Sequence, residues 1–374
     1  MFQPQLIATS ASRFRVIAKR VAIFGAKEMV KSAETRVTEA KGSLVGMSQI
    51  SRIISNLSHF RSPSLALPTP CTWPSNRRSA VLVLLFVGAK GELRVLLTRR
   101  SRKLRAFAGQ VSLPGGKADS SSETFQEVAL RETEEEIGLP RDPRVLKEEY
   151  GLQIDSVCET LPHYLSKTFL SVKPLVCFMY NSNLASQNGR KFVEPLNISK
   201  VFAKLNTGET SSLFSIPLSD LVCHEHKEWK GYKPEYIARE EHVYRWGGLR
   251  WPLRYYYYPM DNNGESQWVK DVIDESSGDE QFGNVLCKNV WGLTAKILYD
   301  VARIGHGTVT DQDAEPQIGH EDLIYGLHEF GSQMRERDRS DWEIGMIENS
   351  RHFKFSDVIP TFYLDRVKKS SANY

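Results

Sequence analysis

The chain reads as a mixed α/β protein, with helices packed on a sheet and extensions at both ends. Three observations predict this. Two apolar runs, Ala80 to Phe86 and Glu92 to Thr98, flank the glycine-bearing turn Gly88 to Gly91 and read as a hairpin. Leu113 to Leu139 passes from a Pro-Gly-Gly turn through a polar start into a helical stretch. Val290 to Ala302, VWGLTAKILYDVA, places Val290, Leu293, Ile297, Leu298 and Val301 at the spacing of an amphipathic helix. Strands and helices mixed in this way suggest an α/β/α sandwich around a mixed β-sheet.

Composition sets outer bounds. A length of 374 residues exceeds one typical domain, and 41% apolar content is enough for a real core. The net charge of +4 is modest and does not call for nucleic acid. Cys71, Cys158, Cys177, Cys223 and Cys287 are scattered, without CxxC or His-paired spacing. That pattern predicts reduced thiols in an intracellular compartment, not a disulfide framework or zinc site. No apolar run approaches the ~18 residues of a membrane span.

Residues 1–46 form a basic extension, either targeting or disordered. No acid precedes Glu28, while Arg13, Arg15, Lys19, Arg20 and Lys27 alternate with apolar residues and serine, as in a mitochondrial presequence. Read from Met47, Arg52-Ile53 and His59-Phe60 partly resemble an N-terminal peroxisomal signal. The final residues SANY carry no SKL-type address. Residues 47–76 read as a linker, with Arg61 to Ser75 rich in Pro and Ser. Residues 77–305 hold the main domain, interrupted by polar insertions at Tyr180–Asn206 and Met260–Gln281. Phe169 to Tyr180 and Leu213 to Ile216 read as further strands. Residues 306–374 are a charged extension with a docking helix, Glu321 to Met334, striped by Leu323, Ile324, Leu327 and Phe330.

The chemistry concentrates in Leu113 to Leu139. Ser120 and Glu123 stand at capping-box spacing, which starts the helix near Ser120 to Ser122; Gly138 followed by Pro140 ends it. Glu132, Glu135 and Glu136 then project from one face within reach of a common point. Acids gathered at a helix C-terminus repel one another and oppose the helix dipole. A hard divalent cation with oxygen ligands would compensate them. A solvated acidic face is the bland alternative for any Glu run.

This segment resembles the Nudix box, Gly-x5-Glu-x7-Arg-Glu-U-x-Glu-Glu-x-Gly-U, where U is aliphatic. Glu123, Arg131, Glu132, Glu135, Glu136, Gly138 and Leu139 fall in register. Lys117 takes the first-glycine position, just after Gly115 and Gly116, and Thr133 takes an aliphatic slot. Leu96 to Gly116 resembles the signature of the coenzyme A diphosphatase branch, LLT-x-R-[SA]-x3-R-x3-G-x3-FPGG. Leu96, Leu97, Thr98, Arg100, Ser101, Arg105, Gly109, Pro114, Gly115 and Gly116 match, and Leu113 replaces the phenylalanine. Gly208 to Leu221 and WGLTAKIL (Trp291 to Leu298) extend the likeness, and the whole layout most resembles fungal peroxisomal members.

The resemblance implies a Nudix α/β/α sandwich and metal-dependent hydrolysis of the diphosphate bond of coenzyme A and its derivatives. The products would be adenosine 3′,5′-bisphosphate and 4′-phosphopantetheine or its acyl form. Glu132, Glu135 and Glu136 would hold Mg²⁺ or Mn²⁺ beside Arg131 and Glu123, with a backbone carbonyl from Gly116, or from Gly115, unless the glycines serve only the tight turn. Arg131 reads as the salt-bridge partner of Glu123 that orients the acids. The identity of the general base stays open, and Glu209 is a candidate for a more distant acid. Arg100 and Arg105, in a densely basic stretch, would read substrate phosphates, with Gly109 and Gly115 shaping the site. A solvated basic loop is the alternative.

Other readings frame these. The partner is a small molecule such as coenzyme A or acyl-CoA; the basic stretch lacks an RRM or KH signature, and the oligomeric state is open. The location is the peroxisome by resemblance, or the mitochondrion from the basic start. Another nucleoside diphosphate, such as NADH or ADP-ribose, is the alternative substrate. A non-catalytic nucleotide-binding module would have lost box glutamates, which are all present. Trp246 to Tyr258, WGGLRWPLRYYYY, reads as a core strand burying Tyr255 and Tyr257, or as a stacking surface for ligand. His224 and His226 read as surface residues.

Overall fold

The computed structural model describes residues 48–62, 74–187, 189–196, 198, 205–225, 229–266, 268, 280–309, 318–331 and 333–371. The basic segment 1–46, Met47, Cys71, His226 and the SANY end beyond Ser371 lie outside the described residues, as do parts of the connector and of both insertions.

Helix α1 (Gln49–His59) opens the described chain, capped by Ser48, whose side chain accepts from Ser51 N–H. Its apolar stripe Ile50, Ile53 and Leu57 is buried in the main core. The segment read as a linker therefore contains a core helix, because that stripe is apolar enough to bury. Strands β1 (Arg78–Val87) and β2 (Leu93–Arg100) form the expected antiparallel hairpin. Short strands β3 (Val111–Ser112) and β4 (Gly115–Lys117) pair with β2 and β1 respectively. Helices α2 (Phe125–Ile137) and α3 (Pro143–Tyr150) follow. Strands β5 (Leu152–Cys158), β6 (Tyr164–Leu165), β7 (Ser171–Asn181) and β8 (Thr210–Pro217) complete an eight-stranded sheet.

Its central path runs β3-β2-β1-β7-β5, with β8 also on β2. β1 and β7 are parallel and the other pairs antiparallel, so the sheet is mixed. Strand β1 is almost wholly buried, as a strand covered on both faces must be.

A second sheet of four strands contains β9 (Ala238–Trp246), β10 (Leu249–Pro259), β11 (Glu280–Phe282) and β12 (Val285–Trp291), ordered β11-β12-β10-β9. WGGLRWPLRYYYY is thus the turn and second strand of a hairpin, not one strand. Gly247 and Gly248, at φ 56° and 85°, make the turn. Its buried face carries Tyr256 and Tyr258, one residue out of the parity expected, and Tyr255 and Tyr257 stay partly exposed. Alternation gives the period but not the phase, and the phase here is set by what the sheet packs on.

Helix α4 (Gly292–His306) begins two residues later than the apolar spacing suggests, because Val290 and Trp291 belong to β12. The tail folds as α5 (Glu321–Glu329), α6 (Asp341–Ile347) and α7 (Thr361–Ser371). α5 stops before Phe330, which is partly exposed, while Leu323, Ile324 and Leu327 are buried. These helices close a second core with Leu165, Phe169 and Trp246. Phe169 holds a left-handed φ of 57° with its ring fully buried against Trp246, Trp342 and Phe355.

Candidate active site

The site is assembled from the end of β2, the short strand β4 and helix α2. Thr124 caps α2 and forms a reciprocal capping box with Glu127, so the helix starts at Phe125 and not near Ser120. Glu123, assigned to the cap by spacing, is engaged elsewhere: it accepts from Arg131 Nε at 2.7 Å and from the Asp119 N–H at 2.9 Å. The Arg131 bond holds its carboxyl below the usual carboxylate range. Gly138, at φ 73°, ends the helix and returns its N–H to the Glu134 carbonyl.

Both glycines of the turn are dictated by close approach. A Cβ on Gly115 (φ 142°) would meet the Ala80 carbonyl oxygen at 2.3 Å. On Gly116 it would meet the Glu132 carboxyl carbon at 2.2 Å. The glycine pair lets the acid lie directly on the backbone of β4. The Gly116 carbonyl accepts from Ser79 Oγ at 2.5 Å and keeps a second lone pair. The Lys117 carbonyl accepts from Arg131 Nη2 at 2.9 Å.

The three box acids differ in environment. Glu136 is buried, accepts the Gly115 N–H at 3.1 Å and lies 3.9 Å from Arg100 Nη1. Burial pushes its carboxyl up to about 7, with Glu132 and Glu209 adding repulsion and Gly115 and Arg100 opposing it. Glu132 is also raised, first by burial. Glu135 is half exposed and turned to Arg131 Nη1 at 3.2 Å, which also lies 3.3 Å from Glu132. Among the described residues no three acids, histidines or cysteines converge as one cation-binding group. Arg131 stands among the three glutamates, and Glu135 turns toward it.

A divalent cation nonetheless fits the donor set. Glu132 and Glu136 are oxygen ligands that burial leaves short of compensating charge, and the Gly116 carbonyl is beside them. Among the described residues Arg100 Nε is buried without a hydrogen-bond partner, a donor that a phosphate oxygen would satisfy.

Of the substrate-binding residues expected, Arg100, Gly109 and Gly115 lie at or next to this cluster. Gly109 (φ 70°) closes the base of the β2–β3 loop by donating to the Arg100 carbonyl at 3.1 Å. Arg105 is exposed on that loop. Glu209 is exposed, and its carbonyl accepts the Ser101 N–H at 2.7 Å. Not all of the basic stretch serves the site. Arg94 is buried in bonds to Glu92, Glu235 and Ser215, and Arg77 in bonds to Glu343. His224 sits 3.4 Å from Glu225, outside the cluster.

Two supporting residues escaped sequence reasoning. Ser79 holds the Gly116 carbonyl, and Arg78 donates to the Ser121 and Glu123 carbonyls while its guanidinium lies 4.8 Å from the Phe125 ring. Their signal is only a register, Ala80 opposite Gly116, that no short motif carries.

Comparison with known proteins identifies the family. The NUDIX domain family profile matches residues 76–177. Peroxisomal coenzyme A diphosphatase 1 of Saccharomyces cerevisiae is 49% identical over 320 residues, covering 84% of this chain and 94% of that protein. The mitochondrial Nudix hydrolase 15 of Arabidopsis thaliana is 31% identical over 228 residues, covering 61% of this chain and 58% of that protein. A crystal structure of a Methanosarcina mazei MutT protein aligns at 21% identity over 39% of this chain and 79% of that one, with a TM-score of 0.25. The chain belongs to the Nudix hydrolases, a family of phosphoric anhydride hydrolases that generally need divalent metal ions. Within the family it falls in the coenzyme A diphosphatase branch.

Proposed function

We propose that this protein cleaves the diphosphate bond of coenzyme A and its derivatives, releasing adenosine 3′,5′-bisphosphate and 4′-phosphopantetheine or an acyl form of it. The observation that carries the reading is the meeting of Arg100 with Glu136 at the end of β2: a guanidinium fork suited to phosphate beside a buried carboxylate whose desolvation that fork only partly offsets. The yeast relative named for that substrate supports the choice of coenzyme A.

Mg²⁺ or Mn²⁺ held by Glu132, Glu136 and the Gly116 carbonyl would neutralise the diphosphate and acidify the attacking water. The chain's own contribution is positioning. Glu132 is pressed on Gly116, Glu136 is fixed by the Gly115 N–H, and Arg131, locked to Glu123, keeps Glu135 at the rim. Glu135 is the acid free to turn inward, since its partner Arg131 keeps Glu123 after it leaves. Arg100 would neutralise a substrate phosphate, with Arg105 further out on the loop. The peroxisomal name of the yeast relative supports a peroxisomal location, and the basic residues of segment 1–46 support the mitochondrion as the alternative.

The test is product analysis by mass spectrometry after incubating pure protein with coenzyme A, NADH and ADP-ribose, each with Mg²⁺ or Mn²⁺, beside Glu136→Gln. Adenosine 3′,5′-bisphosphate from coenzyme A, lost in the variant, is expected. Faster turnover of NADH or ADP-ribose would keep the Nudix chemistry and overturn the substrate. No turnover of any of them would favour a nucleotide-binding module.

A further inference from the structure

Two phenylalanines in the described chain have left-handed backbones, Phe107 at φ 54° and Phe169 at φ 57°. A bulky side chain disfavours this region, so each needs a compensating interaction. Phe169 has one, since its ring is fully buried among Trp246, Trp342 and Phe355. Phe107 does not, because its ring is 52% exposed on the β2–β3 loop. A glycine or asparagine would make the same turn without either strain or an exposed ring.

The loop that carries it is firmly based. Arg100 N–H donates to the Gln110 carbonyl at 2.9 Å, Gly109 N–H to Arg100 at 3.1 Å and Gln110 N–H to Phe107 at 3.3 Å. Ser101 N–H donates to Glu209 at 2.7 Å, and Arg99 Nε to the Gly109 carbonyl at 3.3 Å. The loop's first residue adjoins Arg100, which lies beside Glu136, and Lys103 and Arg105 are exposed on the same loop. An exposed aromatic face among cations suits a ligand that joins a flat π-system to phosphate.

We propose that Phe107 is a substrate-binding residue that stacks on the purine of the nucleotide half of the substrate, while Lys103 and Arg105 neutralise the phosphate that half carries. This rests on the coenzyme A reading above and assigns the nucleotide half to the β2–β3 loop.

The experiment compares wild type with Phe107→Ala, Phe107→Gly and Phe107→Tyr. It measures kcat and KM for coenzyme A with Mg²⁺, melting temperature, and direct calorimetric binding of adenosine 3′,5′-bisphosphate and of 4′-phosphopantetheine. The alanine and glycine variants are expected to raise KM and weaken adenosine 3′,5′-bisphosphate binding by about tenfold, the scale of one base–aromatic stack. Their kcat should stay within about twofold and 4′-phosphopantetheine binding should not change. Tyrosine should restore both losses, and glycine, which relieves the backbone, should melt no lower than wild type. Unchanged adenosine 3′,5′-bisphosphate binding in Phe107→Ala would overturn the proposal, as would a loss confined to 4′-phosphopantetheine. If wild type binds adenosine 3′,5′-bisphosphate through Phe107 yet leaves coenzyme A intact, the stacking role stands and the coenzyme A reading falls.

Discussion

Arg131 in the box and Arg77 at the foot of the tail both grip a carboxylate, but acids outnumber the cation around Arg131 and balance it around Arg77. Arg131 has carboxylates of Glu123, Glu135, Glu132 and Asp119 at 2.7, 3.2, 3.3 and 3.6 Å. Arg77 has one, Glu343, gripped by two bonds of 2.6 and 3.0 Å, and gives its other donors to the carbonyls of Glu336 and Asp338. Both partners of that pair are fully buried, whereas Glu135 is half exposed. A matched buried pair ties two distant segments together. A guanidinium outnumbered by acids leaves negative charge over, which is what a cation-dependent site requires.

The largest effect should come from removing that surplus. Glu136→Gln is expected to lower kcat/KM for coenzyme A on the order of a thousandfold, since metal charge stabilisation is worth several kcal/mol, without lowering the melting temperature. Activity within tenfold of wild type would place Glu136 outside the chemistry. The matched pair should respond the other way. Glu343→Ala strands Arg77 in the core and is expected to cost about 3–5 kcal/mol in urea unfolding, with kcat/KM of the folded fraction retained. A loss below about 1 kcal/mol would mean that the tail is held by its apolar core alone.

Asp220 extends the contrast to an acid bonded only by neutral donors. It accepts from Tyr232 Oη at 2.6 Å and the Glu235 N–H at 3.0 Å, and burial pushes it up to about 7 from 3.8. Between those values the folded protein holds a proton that the unfolded chain has lost, so this group makes stability fall as pH rises from about 4 to about 7. Melting in chelator across that window should fall less steeply in Asp220→Asn than in wild type; parallel curves would show that Asp220 does not titrate there. The smallest effect belongs to the start of α2. Thr124→Ala removes the cap that accepts the Glu127 N–H and is expected to cost about 1 kcal/mol by denaturant titration, with kcat little changed. A loss within error would mean that β4 and Arg78 hold the helix start unaided.

Much of the frame was legible in the sequence because it is local. The hairpin of β1 and β2 is announced by apolar runs around a glycine turn, and the stop of α2 by Gly138 before Pro140. Its start was misread because two capping boxes compete: Ser120 with Glu123, and Thr124 with Glu127. The winner depends on Arg131 claiming Glu123. The second sheet was legible as strand but not in phase, since Tyr256 and Tyr258 are buried by elements far along the chain.

The sequence by itself determined which residues share the acidic face of α2, because a 3.6-residue period places Glu132, Glu135 and Glu136 together whatever surrounds them. It also determined the family, through motifs whose spacing is written in the chain. What each acid is worth came from the fold. Glu136 is desolvated and rises to about 7, Glu123 is paired and falls, and Glu135 is turned to Arg131. The basic stretch divides in the same way, Arg77 and Arg94 going to the core and Arg100 to the site. Desolvation and ion pairing depend on neighbours in space. Arg77 finds its partner 266 positions away, a distance over which no local pattern in the chain carries information.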